Sequence, residues 1–436
     1  MLKEDLKKKV LQAIDNRASE IIEIGETIWK HPELGFKEFK TAELVEKKYE
    51  EMGWIYESGI GITGSKAYLK RPGPRPAVGI IGELDSVRCP DHPECDPITG
   101  AVHACGHNAQ IACMLGAGIG LTDSGVLDEI GGNVVMVAVP AEEYLELDYR
   151  NSLREKGELE FFGGKQEFIR LGAMYGIDIS LGSHSAFNIE GKLTVGGSNN
   201  GFIGKMVRYI GREAHAGASP HKGVNALNAA MLGLMGIHAQ RETFREEDTI
   251  RVHPIITKGG EIVNNVPSDV RIESYVRGKT VEAIIDANKK VNRALEAGAM
   301  AVGAEVEIND MPGYMPYHQD ERLVQLFKDV CVDLVGEKAV IPQGHNTAST
   351  DLGDFSCIMP TGSIGMGGCT GSPHSRDFQI VDKKIQYVLP AKVLAMACVD
   401  LLYQGGSLAN EIIGAFKPII PPEKYAEFMH NLISKK

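Results

Sequence analysis

Two apolar runs in this chain stop abruptly at acidic residues, and that pattern limits the architectures open to it. Pro76-Ala77-Val78-Gly79-Ile80-Ile81-Gly82 leads into Glu83-Leu84-Asp85. Asn133-Val134-Val135-Met136-Val137-Ala138 leads through Val139-Pro140-Ala141 into Glu142-Glu143. A half-exposed strand would alternate apolar and polar residues, so continuous runs of this length read as strands buried on both faces. Open α/β sheets collect their ligands beyond the carboxyl ends of the strands. Carboxylates fall at such ends twice.

The rest of the chain fits the same class. Leu6, Val10, Ile14, Ile21, Ile24 and Ile28 follow helical spacing until Lys30-His31-Pro32, and a second helix is expected over 39–52. A helix over 109–120 and strands over 133–139 and 177–182 continue the alternation of an α/β sheet. From about residue 192 the order changes. Strand 203–210, helix 224–240, strands 250–257 and 270–276, helix 281–297 and strand 304–308 spell β-α-β-β-α-β, the order of a ferredoxin-like sandwich. Residues of metal-site type resume after it, so this block reads as an insertion. The expected architecture is an α/β catalytic domain (1–191 and 310–436) carrying an inserted ferredoxin-like domain at 192–309.

Composition narrows the function. Hydrophobic residues make up 43% and charged residues 24% of the 436, as in soluble globular proteins. A net charge of −12, with no Lys/Arg tract to offset it, disfavours nucleic-acid backbones. No segment reads as a membrane span, and Met1-Leu2-Lys3-Glu4-Asp5 does not open a signal peptide, so the expectation is a cytoplasmic protein away from membranes. Its eight cysteines are expected to be reduced. Cys89 and Cys95 bracket His92, but the Pro- and Asp-rich surroundings argue against a zinc site there.

His103-Ala104-Cys105-Gly106-His107 is the other informative segment, with a thiol and an imidazole two residues apart before an apolar helical pattern. A soft ligand, a nitrogen ligand and a strand-end carboxylate pair together suit a metal-centred hydrolytic site. Neighbouring acids at a strand end point differently, so one of Glu142 and Glu143 can bind metal while the other acts as general base. The residues alone leave the assignment open. They also leave open a cysteine-nucleophile hydrolase using Cys105 with His107.

At this point the chain resembles the di-metal aminoacylase and amidohydrolase peptidase family, in its auxin-conjugate hydrolase and p-aminobenzoyl-glutamate hydrolase branch. The matching pieces are His31-Pro32-Glu33-Leu34-Gly35-Phe36 with Glu38, Glu83-Leu84-Asp85 and the two segments above. Further along they are Gly182-Ser183-His184, Ala214-His215-Ala216 with Pro220, Asn265-Val266-Pro267 with Arg277-Gly278, and Pro373-His374-Ser375 with Phe378. They occur in the family's order and span nearly the whole chain.

The resemblance implies two divalent ions (Zn, Mn, Co or Ni) on Cys105, His107, Glu143, His184 and His374, with Cys105 bridging. It makes Glu142 the general base, and it makes the inserted domain a lid that forms a homodimer. His215 of that lid is expected to stabilise the oxyanion in a partner's site, with Asn265 and Arg277 as substrate anchors. Asp85 is expected to orient a ligating imidazole. The implied activity is hydrolysis of the amide in N-acyl amino acids or related conjugates, small molecules with a free carboxylate. A dipeptidase or carboxypeptidase with the same centre, or a non-catalytic metal-binding relative, is the alternative.

Three departures bear on this expectation. The family's Gly-His-Asp-Gly-His is Gly106-His107-Asn108-Ala109-Gln110 here, and its Ser-Glu-Asp is Ser349-Thr350-Asp351. Losing the first acid is expected to loosen His107 or change the charge at the metals. A polar stretch at 145–165, directly after the carboxylate pair, is expected to reshape the pocket.

Overall fold

The computed structural model describes residues 1–433, which divide into two compact units. The first comprises Met1–Gly197, His318–Gly344 and Phe355–Pro422. The second comprises Ser198–Tyr317, His345–Asp354 and, among the described residues, 423–433.

The first unit is built on a nine-stranded mixed sheet. Its middle strands are the two apolar runs, Ala77–Glu83 and Asn133–Val139, and every residue of both is buried. They run parallel, with Glu83 opposite Val139. Ile179–Ser185 lies parallel to Ala77–Glu83, and Thr361–Met366 follows parallel to it with Gly365 opposite His184. Glu83, Val139 and His184 therefore reach the same edge of the sheet.

The helix His107–Asp123 packs on Ala77–Glu83 and is buried nearly all round. Its apolar residues follow no single face because helices cover it on its other sides. The single long N-terminal helix suggested by the apolar spacing is two, Lys3–Asn16 and Ala18–Trp29, broken at Arg17 (φ −103°, ψ 8°). Ile14 and Ile21 are seven residues apart, about two turns. The apolar stripe thus stays in phase across the break and hides it.

One segment departs from the expectation that none has the apolar length of a membrane span. Lys384–Ala415, a π-turn running into an α-helix that kinks at Tyr403–Gly406, is apolar enough by length and composition. Within this fold 83% of its most apolar window is buried. It is apolar on every side because protein surrounds it.

The second unit has the β-α-β-β-α-β order. Gly201–Ile210, Arg251–Lys258, Asp269–Gly278 and Glu305–Pro312 form an antiparallel sheet, with Arg251–Lys258 and Glu305–Pro312 at its edges. Helices Ala226–Gln240 and Val281–Val302 pack on each other and on that sheet. Under them lies a buried polar knot. Lys205 pairs with Asp310, whose other oxygen accepts from Asn288 and Asn292 at 2.7 and 2.8 Å. A buried ion pair tolerates its desolvation only when its remaining lone pairs are satisfied in this way.

Candidate metal centre

Most of the chemically active side chains sit where a regular element ends, while His374 lies in the turn between the short strands Cys369–Thr370 and Gln379–Ile380. His184 lies near the carboxyl end of its strand, and Glu142 and Glu143 follow Val139 after a short turn. Cys105 and His107 flank Gly106, which precedes the helix His107–Asp123 with φ 89°. A Cβ at Gly106 would sit 2.0 Å from Ser185 Oγ, and its backbone would be strained as well. Gly106→Ala should therefore cost about 1–3 kcal/mol of stability and weaken metal uptake together. Thermal melts and metal content after dialysis would check this. A variant with native melting and native metal content would show the turn to be tolerant.

The structure brings five of the expected metal ligands together in two groups that share one atom. Sγ of Cys105 with His107 and His184 forms one, and the same sulfur with Glu143 and His374 forms the other. Ligating atoms lie within 4.8 Å of one another in each group. Cys105 Sγ is 3.4 Å from Nε2 of His184 and 3.4 Å from Nε2 of His374. Glu143 Oε1 is 2.9 Å from His374 Nε2.

Two further observations fit a pair of divalent ions. His107 Nε2 and Glu143 Oε1 are buried without a hydrogen-bond partner among the described residues, although charged groups lie close to both. A buried nitrogen or oxygen left without a hydrogen bond is a donor available to a cation. In addition, His107 turns Nδ1 to Asp85, 3.0 Å from its carbonyl and 3.1 Å from its carboxylate. His184 turns Nδ1 to the Ser185 carbonyl at 3.0 Å. Both rings thereby keep Nε2 for a metal, the usual outer arrangement of ligating imidazoles.

The charges of the group lock together. Burial and the Glu143 charge oppose ionisation of Cys105, but His107 and His184 outweigh them and bring the thiol down to about 6. Burial likewise disfavours charge on His107 and His374. Cys105 and Glu83 nevertheless hold His107 well above the ordinary imidazole range, while Cys105 and Glu143 push His374 up to about 11. Imidazolium protons balance the anions here, and divalent cations supply the same positive charge to the same atoms.

The supporting residues explain several motif positions. Asp85 also accepts the Glu143 N–H, at 2.8 Å. Glu33 caps the helix Phe39–Glu51 by accepting from the N–H groups of Lys40 and Thr41. Glu38, fully buried, accepts from Thr63 Oγ1 at 2.7 Å and from the N–H of Ala141 at 2.8 Å. Ala141 has φ 53°, so Glu38 braces the strained residue that precedes Glu142.

Burial first, and the charge of Asp85 second, push Glu38 up to about 7 from an ordinary 4.5. The folded state therefore binds this proton more tightly than the unfolded state. Its contribution to stability is full below about pH 4.5 and is lost as pH rises to about 7, a change of about 3 kcal/mol. Glu38→Gln should flatten that decline in urea melts taken from pH 4.5 to 8. An unchanged slope would remove Glu38 as its source.

Some functional residues carry no sequence signal. Arg150, from the polar stretch, is buried and donates to the carbonyls of Glu143, Ala141 (3.4 Å) and Phe162 (2.5 Å). Lys165, fully buried, reaches Glu83. A single Lys or Arg in a polar stretch follows no spacing that would single it out.

Other expected residues lie elsewhere. His215, Asn265 and Arg277 all belong to the second unit, so they are not among the clustered ligands of the first. His215 is exposed, and its Nδ1 accepts from the N–H groups of Gly217 and Ala218 at 3.2 and 3.0 Å. That fixes the tautomer with a proton on Nε2, so the ring is a donor toward solvent. Asn265 pairs with His215 through a β-bridge. Arg277 donates to Ser349 Oγ at 2.8 Å and lies over the rings of Phe202 and Tyr275.

The effect expected of Asn108 is not seen. Its amide points away from the centre, donating to the Gly25 carbonyl and the Tyr387 hydroxyl at 3.1 Å each, while Asp85 orients His107. His92 has both ring nitrogens engaged, on the Phe378 carbonyl and the Glu94 N–H. His103 is buried with neither nitrogen hydrogen-bonded among the described residues.

With this geometry in place, comparison with known proteins is decisive for the family. The model of peptidase family M20/M25/M40 matches residues 79–391, well over half of the chain. The chain belongs to peptidase family M20/M25/M40. This family member is a metal-dependent hydrolase of the metallopeptidase class, acting on C–N amide bonds.

It is 27% identical to the Xaa-Arg dipeptidase of Mus musculus, over 81% of this chain and 78% of that protein. It is 24% identical to the IAA-amino acid hydrolase ILR1-like 4 of Arabidopsis thaliana, over 84% and 82%. Among solved structures it resembles the YXEP protein of Bacillus subtilis, described as a dinuclear metal-binding M20 peptidase. That match has a TM-score of 0.66 and 19% identity, and covers 88% of this chain and 98% of the other. The aminobenzoyl-glutamate utilization protein of Klebsiella pneumoniae matches with a TM-score of 0.68 and 17% identity, over 91% and 99%.

Proposed function

We propose that this M20-family chain hydrolyses the amide of an N-acyl amino acid, or of a related conjugate such as a p-aminobenzoyl-glutamate-like compound, at a centre of two divalent ions. One observation carries the reading. Cys105 is shared by two three-residue ligand groups, and Glu142 stands beside one of their ligands without belonging to either. Cys105, His107 and His184 would hold one ion, and Cys105, Glu143 and His374 the other. Bound there, the ions supply Lewis acidity that polarises a carbonyl and acidifies water.

The remaining chemistry belongs to the chain. Glu142 takes the proton as water oxygen bonds to the carbonyl carbon, then returns it to the nitrogen as the C–N bond breaks. His215 offers its Nε2 proton to the oxyanion from a partner's copy of the second unit. Arg277 and Asn265 receive the substrate carboxylate, for which a guanidinium fork is suited.

The second unit supports self-association as a homodimer. The helix Ala226–Gln240 exposes Met231, Leu232 and Met235, and the edge strand Arg251–Lys258 exposes Ile255 and Ile256. We also propose a cytoplasmic location, a reducing compartment that suits its eight free cysteines.

The test is amide hydrolysis by metal-stripped protein across acyl-amino acids and dipeptides, with Zn²⁺, Mn²⁺, Co²⁺ or Ni²⁺ restored. The reading expects metal-dependent turnover, fastest on acyl-amino acids that keep a free carboxylate. Preference for dipeptides would move the assignment to a dipeptidase, the activity named for the mouse relative. Full metal occupancy with no turnover on any substrate would favour a non-catalytic relative.

A further inference from the structure

Glu83 stands where it could disturb the centre. Its Oε2 lies 3.1 Å from His107 Nε2, the nitrogen left free for a metal, and with Glu142 these two residues form a third potential ligand group. A carboxylate so placed would ordinarily enter the coordination sphere of any divalent ion on His107, because hard anionic oxygen competes well for such ions. Two donors act on it, one at each oxygen. Lys165 Nζ reaches Oε1 at 2.6 Å, and Gln110 Nε2 reaches Oε2 at 2.6 Å. Lys165 and Glu83 are both fully buried, so water does not share these contacts.

The two donors come from the places where this chain departs from the family pattern. Gln110 closes the altered Gly106-His107-Asn108-Ala109-Gln110 segment. Lys165 lies in the short helix Gly164–Arg170, at the end of the polar stretch. A buried ammonium supplies the positive charge that Glu83 would otherwise seek from a metal, and the amide fixes the orientation of the carboxylate.

We propose that Lys165 is a positioning residue: by holding Glu83 in an ion pair it keeps that carboxylate off the metal on His107 and confines the ligand set to the five residues above. The inference rests on the di-metal reading. It predicts that removing the ammonium alone converts Glu83 into an additional ligand.

The test uses the full-length protein, stripped and reloaded with Co²⁺, whose visible bands report coordination number and whose charge-transfer band reports the thiolate. Lys165→Met should weaken and shift the visible bands as coordination rises, with the Cys105 charge-transfer band retained. The double variant Lys165→Met, Glu83→Gln should restore the wild-type spectrum, because neither an ammonium nor a carboxylate remains. This neutral pair also keeps the test alive if the single variant folds poorly. Identical spectra for Lys165→Met and wild type, with native circular dichroism, would overturn the proposal. So would a double variant that loses bands as a protein deprived of a ligand would. Wild-type protein without a thiolate band would overturn it together with the di-metal reading, whereas bands indifferent to Lys165 would overturn it alone.

Discussion

Glu142→Gln should load metal as the wild-type chain does and turn over roughly 10²–10⁴-fold more slowly, while Glu143→Gln should fail first in metal retention. The two side chains are neighbours, yet the fold gives them different surroundings. Glu143 has its N–H on Asp85, its carbonyl on Arg150 and its Oε1 beside His374. Both ends of that residue are held, and the charge of His374, working against burial, keeps its carboxyl down to about 2. Glu142 belongs to neither group that shares Cys105, and its Oε2 lies 3.8 Å from His107 Nε2. A ligand needs a fixed position and a permanent charge, and a base needs room to gain and lose a proton.

Amide turnover with metal content measured on the same samples separates the roles. If Glu142→Gln came through dialysis metal-free while Glu143→Gln kept both ions, the two assignments would have to be exchanged. Turnover by Glu142→Gln at the wild-type rate would end the case for a carboxylate base at this position.

Most parts of this site that the sequence disclosed share one property. Cys105, His107, Glu143 and His184 lie at or just beyond the ends of elements that announce themselves by hydrophobic pattern, and a buried parallel strand brings its carboxyl end to the same edge as its neighbours; His374, in a turn, was legible only through the family motif. The ferredoxin-like order of the second unit was legible for a similar reason, since alternating strands and amphipathic helices carry distinct periods.

What stayed hidden depends on tertiary pairing. Nothing about Lys165 or Arg150 in a polar stretch distinguishes a buried cation from a solvated one, because only the fold brings Glu83 and the carbonyls past Val139 to them. The break at Arg17 was invisible because a seven-residue step preserves helical phase. The long helix over Lys384–Ala415 was underrated because its polar residues interrupt a simple run, while burial within the unit makes most of its circumference apolar.

Cys105→Ser is the substitution expected to remove most, because one atom serves both ligand groups. A serine hydroxyl does not ionise near neutral pH and binds Zn²⁺-like ions poorly compared with thiolate. Loss of an ordinary ligand would empty one position. Loss of the shared sulfur should instead take metal content after dialysis from two ions per chain toward none, with turnover falling on the order of 10³-fold or more.

The same residue separates the metallohydrolase from a cysteine-nucleophile enzyme. Cys105 in metal-free protein lies against His184 and His374, so a small alkylating reagent should find a reactive thiolate there. In loaded protein the sulfur's electron pairs are engaged, and the residue should resist the reagent while turnover continues. An enzyme that used the thiol as its nucleophile would show the opposite pairing. It would lose activity to the reagent even with excess metal present, and it would keep its rate when the metal was removed. Following both quantities in one experiment, the alkylation of Cys105 and the residual rate, decides which of the two chemistries this site performs.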